Sequence, residues 1–179
     1  IPQFVENIKF ETVANELGIR EETLNSVKLF DMCIKNLFKQ ASDAGDYLRM
    51  IVENFAGQWL QLRDVTRLEP DPDLFPTFDD ELQQSMRKET ELFFQAMVSE
   101  DRNVLEFLTA DFTYVDQRLA THYGMQPVEN EGFQRVKLLP GRRGILTHAS
   151  ILMLTSNPTR TSPVKRGKWI LDNILAEPP

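Results

Sequence analysis

Tyr47-Leu-Arg-Met-Ile-Val-Glu-Asn-Phe-Ala-Gly-Gln-Trp-Leu-Gln-Leu-Arg63 has the clearest periodicity in the chain. Leu48, Ile51, Val52, Phe55, Trp59 and Leu62 recur mostly three and four residues apart, which places them on one face of a helix. Gly57 sits inside that helix at a cost of about 1 kcal/mol against alanine, and a close helix crossing would account for it. The same period recurs on both sides, and no alternating run exceeds a few residues. The expected fold is therefore all-α: an irregular bundle of about seven helices, with at most one short strand pair near Phe133 to Leu138.

Toward the N-terminus, Phe10, Val13, Leu17 and Ile19 form one apolar stripe, and Leu24, Val27, Phe30, Ile34 and Leu37 form another. Gly18 between them invites a helix-turn-helix reading. The second helix, however, opens on Glu21-Glu22 and offers a base edge almost no donors, so generic helix packing is the better account. Ser42 to Gly45 is read as a loop.

Toward the C-terminus, three prolines between Leu68 and Pro76 make a rigid connector. Asp71 and Asp73 within it lack the glycine and distal glutamate of a calcium loop. Thr77-x-x-Asp80 matches a capping box and predicts a helix to about Val98, with Leu82, Met86, Phe93 and Met97 buried. Arg87, Lys88, Glu89 and Glu91 are expected on other faces, and Glu89 and Glu91, two apart, do not form a carboxylate pair. Asp101 is expected to cap a short helix holding Val104, Leu105 and Leu108. Thr113-x-x-Asp116 predicts another helix, ending at Gly124 with His122 in its last turn. A further helix is expected from near Gly144 through His148 to about Leu154. After a loop at Asn157 to Thr161, Ser162 as N-cap and Pro163 at the first helical position open the last helix.

Composition narrows the function. A chain of 179 residues with 41% hydrophobic content can bury a proper core, and no run of 18 apolar residues is present to span a membrane. Cys33 is the only cysteine, so neither a disulfide within the chain nor a cysteine-held metal or covalent haem is possible. With two histidines and scattered carboxylates, no metal site is expected. No phosphate loop, nucleophile elbow or zinc-protease motif occurs. The net charge of −7 hides an asymmetry: 12 Lys and Arg face 25 Asp and Glu up to Glu131, and 8 face 2 from Gly132 onward. This divides the chain into an acidic helical domain at 1–126 and a basic helical segment at 127–179 packed on it as one unit. The acidic body argues against nucleic acid as a partner. The chain opens on Ile1 without a leader and closes on Ala176-Glu-Pro-Pro179, so both ends are expected to be cuts in a longer polypeptide, the last entering a truncated proline-rich linker.

The string LTHASILMLTSNPTRTSPVKRGKWILDNILAEPP, Leu146 to Pro179, resembles the signature of a domain family of unknown function found in planctomycete-type cytochrome proteins. Phe55 to Arg63, Phe75 to Phe94 and Asp101 to Gly124 resemble an adjoining domain of the same group, and the similarity covers roughly residues 52 to 179. The resemblance implies an exported, extracytoplasmic multidomain protein with a haem-c domain elsewhere in the polypeptide. The partners are then other domains of the same chain, and this chain holds no cofactor of its own. The family supplies no reaction or catalytic residues.

Two readings follow. In one, the chain is a helical scaffold between neighbouring domains, and Arg160 holds its loop against acids of the body. In the other, it forms part of the substrate or haem pocket of an exported oxidoreductase. There Arg160, Thr161, Ser162, Lys165 and Arg166 would bind an anion at the helix N-terminus, and His148 would face haem or carry a proton.

Overall fold

The structure is a computed structural model, and it describes residues 44–128 and 131–179. The two stripes between Phe10 and Leu37, the helix-turn-helix reading and Cys33 lie outside the described residues. Leu48–Pro179 forms one compact unit.

The first helix among the described residues runs without a break but changes pitch. It opens as α1 (Ala44–Met50), passes through a π-helical stretch (Ile51–Ala56) and closes as α2 (Gly57–Trp59). It thus includes Ala44 and Gly45, which the sequence reading places in a loop. The wider turn brings Ile51, Val52 and Ala56 into the interior together. A Cβ at Gly57 would meet the Arg63 side chain at 3.7 Å and Val52 O at 3.9 Å, both ordinary contacts, so no close crossing accounts for that glycine. Gln61, left-handed at φ 59°, ends the run before Arg63 and turns the chain into α3 (Leu62–Val65). Leu60 and Leu62 on either side are fully buried.

The connector that follows is a series of turns. Its Asp71 N–H donates to Pro158 O at 3.1 Å, so it is tied to a loop nearly ninety residues away. The helix α4 (Asp80–Ser99) is the longest element among the described residues. Its N-cap is Asp79, two residues later than the Thr77 that the capping box proposes. The Asp79 carboxylate accepts from Leu82 N at 2.7 Å, Asp80 and Glu81 favour the positive end of the dipole, and Arg118 pairs with Asp79 at 2.7 Å. Leu82, Met86, Phe93 and Met97 are buried as expected, and so are Glu89 and Thr90.

Two corrections concern the next stretch. Asp101 is no cap: it sits at φ 48° and reverses the chain after α4. The helix α5 is only Glu106–Thr109, with the Asn103 side chain holding Leu105 N–H, and Val104 and Leu105 face solvent. The second concerns Thr113, which begins no helix. Phe112–Val115 is strand β1, rich in aromatic and β-branched side chains. It pairs antiparallel with β2 (Gln134–Lys137), Phe112 opposite Lys137 and Val115 opposite Gln134. Asp116 is the true cap of α6 (Gln117–Tyr123), accepting from Leu119 N at 2.8 Å, and Gly124 ends that helix at φ 67°.

Gly144 leads into a 3-10 turn (Ile145–Thr147), His148 is extended, and α7 covers Ala149–Leu154. The helix expected to run through His148 is thus interrupted there. Ser156–Asn157 (β3) and Arg160–Thr161 (β4) form a second antiparallel pair, one more than the sequence predicts, before α8 (Pro163–Asn173). Ser162 caps α8 with Pro163 at its first position, as expected. The protein is mainly α-helical, with seven helical runs among the described residues and two small strand pairs.

The core has two parts. Leu82, Met86, Val115, Leu119, Ala120, Tyr123 and Ala149 form one cluster. Beside it Phe93 meets Phe107 and Phe112, and Trp59 meets Phe55, Phe94 and Phe107, at ring distances of 5.4–6.3 Å. The Trp59 indole N–H donates to Asn173 O at 2.7 Å, which ties the first helix to the last.

Candidate functional site

Against the two apolar clusters lies a line of buried polar side chains. Glu89 and Thr90 come from the middle of α4, Thr113 from β1, Tyr123 from the last turn of α6, and His148 and Ser150 from the start of α7. Glu89, Thr90, Thr113, His148 and Ser150 are all fully buried. Buried polar groups persist only when paired, and this set is paired throughout. Thr113 Oγ1 donates to Glu89 Oε1 at 2.7 Å, and Tyr123 Oη donates to Glu89 Oε2 at 2.6 Å. Tyr123 Oη in turn accepts from Ala149 N–H at 2.8 Å. Thr90 Oγ1 lies 3.0 Å from His148 Nδ1 and 2.7 Å from Ser150 Oγ, and Thr113 Oγ1 lies 3.5 Å from His148 Nε2.

The electrostatics follow from burial. Glu89 is raised from 4.5 to about 7, because desolvation outweighs the two hydroxyl donors and the nearby Arg142. His148 is pushed down to about 3 by burial and then by Arg142, so it is neutral near pH 7. The Tyr123 hydroxyl is held well above its ordinary value by burial and by Glu89. Arg142 is the nearest cation: its guanidinium lies 4.0 Å from the Tyr123 ring centroid and its Nη2 donates to Thr147 O at 2.6 Å.

Glu89 is the site residue that sequence reading assigns to the wrong face. Its signal is present in the sequence: 89 lies three after Met86 and four before Phe93, on the stripe that already predicts burial. Spacing against Glu91 obscures this: Glu91 is buried too, on another face of α4, where it pairs with Arg87 at 2.8 Å.

The residues singled out in the basic segment do not gather around one point. Arg166 Nε donates to Thr155 Oγ1 at 3.2 Å and Lys165 Nζ donates to Ser156 O at 3.4 Å, so both reach back to the end of α7. Ser162 Oγ accepts from Lys165 N. Arg160 and Thr161 are exposed on β4, and Arg160 makes no ion pair among the described residues. The loop is therefore held to the body by backbone, through Asp71 N–H to Pro158 O, and by burial of Trp169. His148 has both ring nitrogens within reach of threonine hydroxyls and stands edge-on to Phe93 at 4.9 Å. It lines neither of two surface cavities, a polar one of about 640 Å³ beside Arg63, Ser85, Arg87 and Asp116 and another of about 410 Å³ beside Met125, Val128 and Val136. Among the described residues no group of His, Cys, Asp and Glu side chains could hold a metal ion, and no helix is long and apolar enough to cross a membrane.

Residues 33–125, more than half of the chain, match the family described as PSD4, protein of unknown function (DUF1592). The chain belongs to the PSD4 family. Residues 142–179 match a second family, PSCyt3, protein of unknown function (DUF1588). Both are domains of the planctomycete-cytochrome type. The PSD4 match begins at residue 33, earlier than the resemblance read from 52 onward. No curated protein and no solved structure matches the chain. The buried polar line joins the two matched segments: Glu89, Thr90, Thr113 and Tyr123 lie in the PSD4 portion, and Arg142, His148, Ala149 and Ser150 lie in the PSCyt3 portion.

Proposed function

We propose that this chain is a helical scaffold within a larger exported haem-c protein, holding neighbouring domains in place and carrying no catalytic centre of its own. The observation that carries the reading is the interlock of the two family segments. Tyr123 of the first accepts from the Ala149 amide of the second at 2.8 Å, and Thr90 meets His148 and Ser150 across the same boundary. A module whose buried carboxylate, hydroxyls and imidazole bond one another serves rigidity. Nearer the surface, Lys165 and Arg166 of the first turn of α8 each reach back with one donor, to Ser156 O and Thr155 Oγ1. The haem-c domain and the extracytoplasmic location belong to this proposal and rest on the family's cytochrome-type naming.

Haem titration of the purified chain tests it. The scaffold reading expects the spectrum to equal the sum of free haem and protein. A shifted Soret band that is lost in His148→Gln would contradict it. In the full polypeptide, deleting residues 48–179 is expected to leave the reduced and oxidised haem spectra unchanged while loosening the domain arrangement seen by small-angle scattering.

A further inference from the structure

The buried line has a property that rigidity alone does not need: its hydrogen bonds have two complete and opposite senses. Ala149 N–H can only donate, so Tyr123 accepts from it and directs its own proton to Glu89 Oε2. That part is fixed. The other branch is not, because every remaining member is a hydroxyl, an imidazole or a carboxyl and can either donate or accept.

With Glu89 ionised, Thr113 donates to Glu89 Oε1 and accepts from His148 Nε2–H. His148 Nδ1 then accepts from Thr90, and Thr90 accepts from Ser150. With Glu89 protonated on Oε1, that proton is donated to Thr113 and Thr113 donates to His148 Nε2. His148 now carries its proton on Nδ1 and donates to Thr90, which donates to Ser150. Between the two states each hydroxyl keeps one proton, the imidazole keeps one proton and the carboxyl gains one from solvent. Nothing else changes along the line, and in each sense every bond between its members has one donor and one acceptor.

We propose that Glu89, Thr113, His148, Thr90 and Ser150 form a reversible proton-sensing line in which one proton taken up at Glu89 turns each bond around and switches the tautomer of His148. The groups facing Glu89 are Thr113 from β1, Tyr123 from α6, the Ala149 amide from α7 and Arg142 as the one nearby cation. His148 touches the line only through Thr113 and Thr90, and the Thr113 link, at 3.5 Å, is the longest in it. Burial keeps His148 neutral near pH 7, so its response to acid is a change of tautomer and not a gain of charge. The switch is expected near pH 7, where Glu89 takes up its proton. Because the line crosses from the PSD4 portion into the PSCyt3 portion, proton uptake in the first is reported at the start of α7 in the second. The inference holds whether or not the module scaffolds a haem domain.

Nitrogen-15 spectra of His148 in the full chain, with His122→Gln leaving one histidine, read the tautomer directly. The expected result is a protonated Nε2 well above pH 7 and a protonated Nδ1 well below it, with one midpoint. In Glu89→Gln the tautomer should be the same at every pH. In Thr113→Val the Glu89 carboxyl carbon-13 signal should still titrate while the His148 tautomer stays fixed. A wild-type tautomer that does not change with pH, or a change that survives Thr113→Val, would overturn the proposal. Should Glu89→Gln not fold, the Thr113→Val arm decides alone.

Discussion

Glu89 and His148 are one hydroxyl apart, yet burial moves them in opposite directions, and the consequence is measurable. A carboxyl raised from 4.5 to about 7 means that the native state binds the proton more tightly than the unfolded chain. Its contribution to stability is full below pH 4.5 and is lost as the pH rises through 7. His148, lowered from 6.5 to about 3, contributes with the other sign: fully above 6.5, and lost as the pH falls toward 3. Between 4.5 and 6.5 the two slopes oppose each other, and wild-type stability from these groups is flat. Glu89→Gln removes one slope. Relative to wild type, its unfolding free energy from urea titration should fall as the pH drops from 6.5 to 4.5, by about 3 kcal/mol at most at roughly 1.4 kcal/mol per unit. Parallel curves would show that Glu89 does not titrate there. Arg160→Lys belongs to the same scale. Because Arg160 is exposed and has no ion pair among the described residues, the change should move stability by less than about 0.5 kcal/mol in thermal melts. Its planar fork and the acidic body suggest a bridging role, and the structure instead places it on the solvent side of a two-residue strand. What was legible about Glu89 was its place on the α4 stripe. What hid it was its charge, since a carboxylate is rarely buried unless paired, and its partners come from three other elements.

At the scale of elements, local chemistry decides more than periodicity. Helix periodicity locates α4, α6 and α8 well, but both capping-box matches misplace the cap, because Asp79 and Asp116 reach the third amide themselves. Asp79→Ala removes both the cap of α4 and the carboxylate that Arg118 pairs with, so it should lower the thermal midpoint by a few degrees. Thr77→Ala should leave that midpoint nearly unchanged, and equal losses in the two variants would contradict the assignment of the cap. Strand β1 is hidden from sequence because its partner β2 lies beyond an intervening helix and because four residues are too few for alternation to register. Gly144 is the sharpest local requirement. It sits at φ +50°, and a Cβ there would lie 2.3 Å from Phe107 O and 2.6 Å from the Leu108 carbonyl carbon. Backbone cannot give way as a side chain can. Gly144→Ala should destabilise by more than about 3 kcal/mol in chemical unfolding, and a near-neutral result would show that Gly144 does not approach α5 so closely.

For the whole molecule, the charge asymmetry invites the picture of a basic tail clamped electrostatically to an acidic body. The contacts give it a minor part. Arg135 meets Glu100 at 2.9 Å and Lys137 approaches Asp111 at 3.9 Å, both on the surface, where such pairs contribute about 0–1 kcal/mol each. The two family segments are joined instead by burial: Ile145, Ala149, Ile151 and Trp169 are buried with the earlier helices, and the Trp59 indole is bonded to Asn173. At roughly 1.5–3 kcal/mol for each large apolar side chain, this outweighs the ion pairs. The joint should therefore survive salt that screens surface charge, with an unfolding midpoint nearly unchanged between low and high ionic strength. The most direct test of a single interlocked module uses its two tryptophans, Trp59 in the PSD4 portion and Trp169 in the PSCyt3 portion. Trp59→Phe and Trp169→Phe each leave one fluorescent reporter, and urea unfolding of each is compared with the same variant's far-ultraviolet dichroism. The interlock predicts that fluorescence and dichroism coincide in both variants, with the Trp169 signal lost together with the helices of the first portion. A Trp169 transition complete before those helices unfold would contradict it.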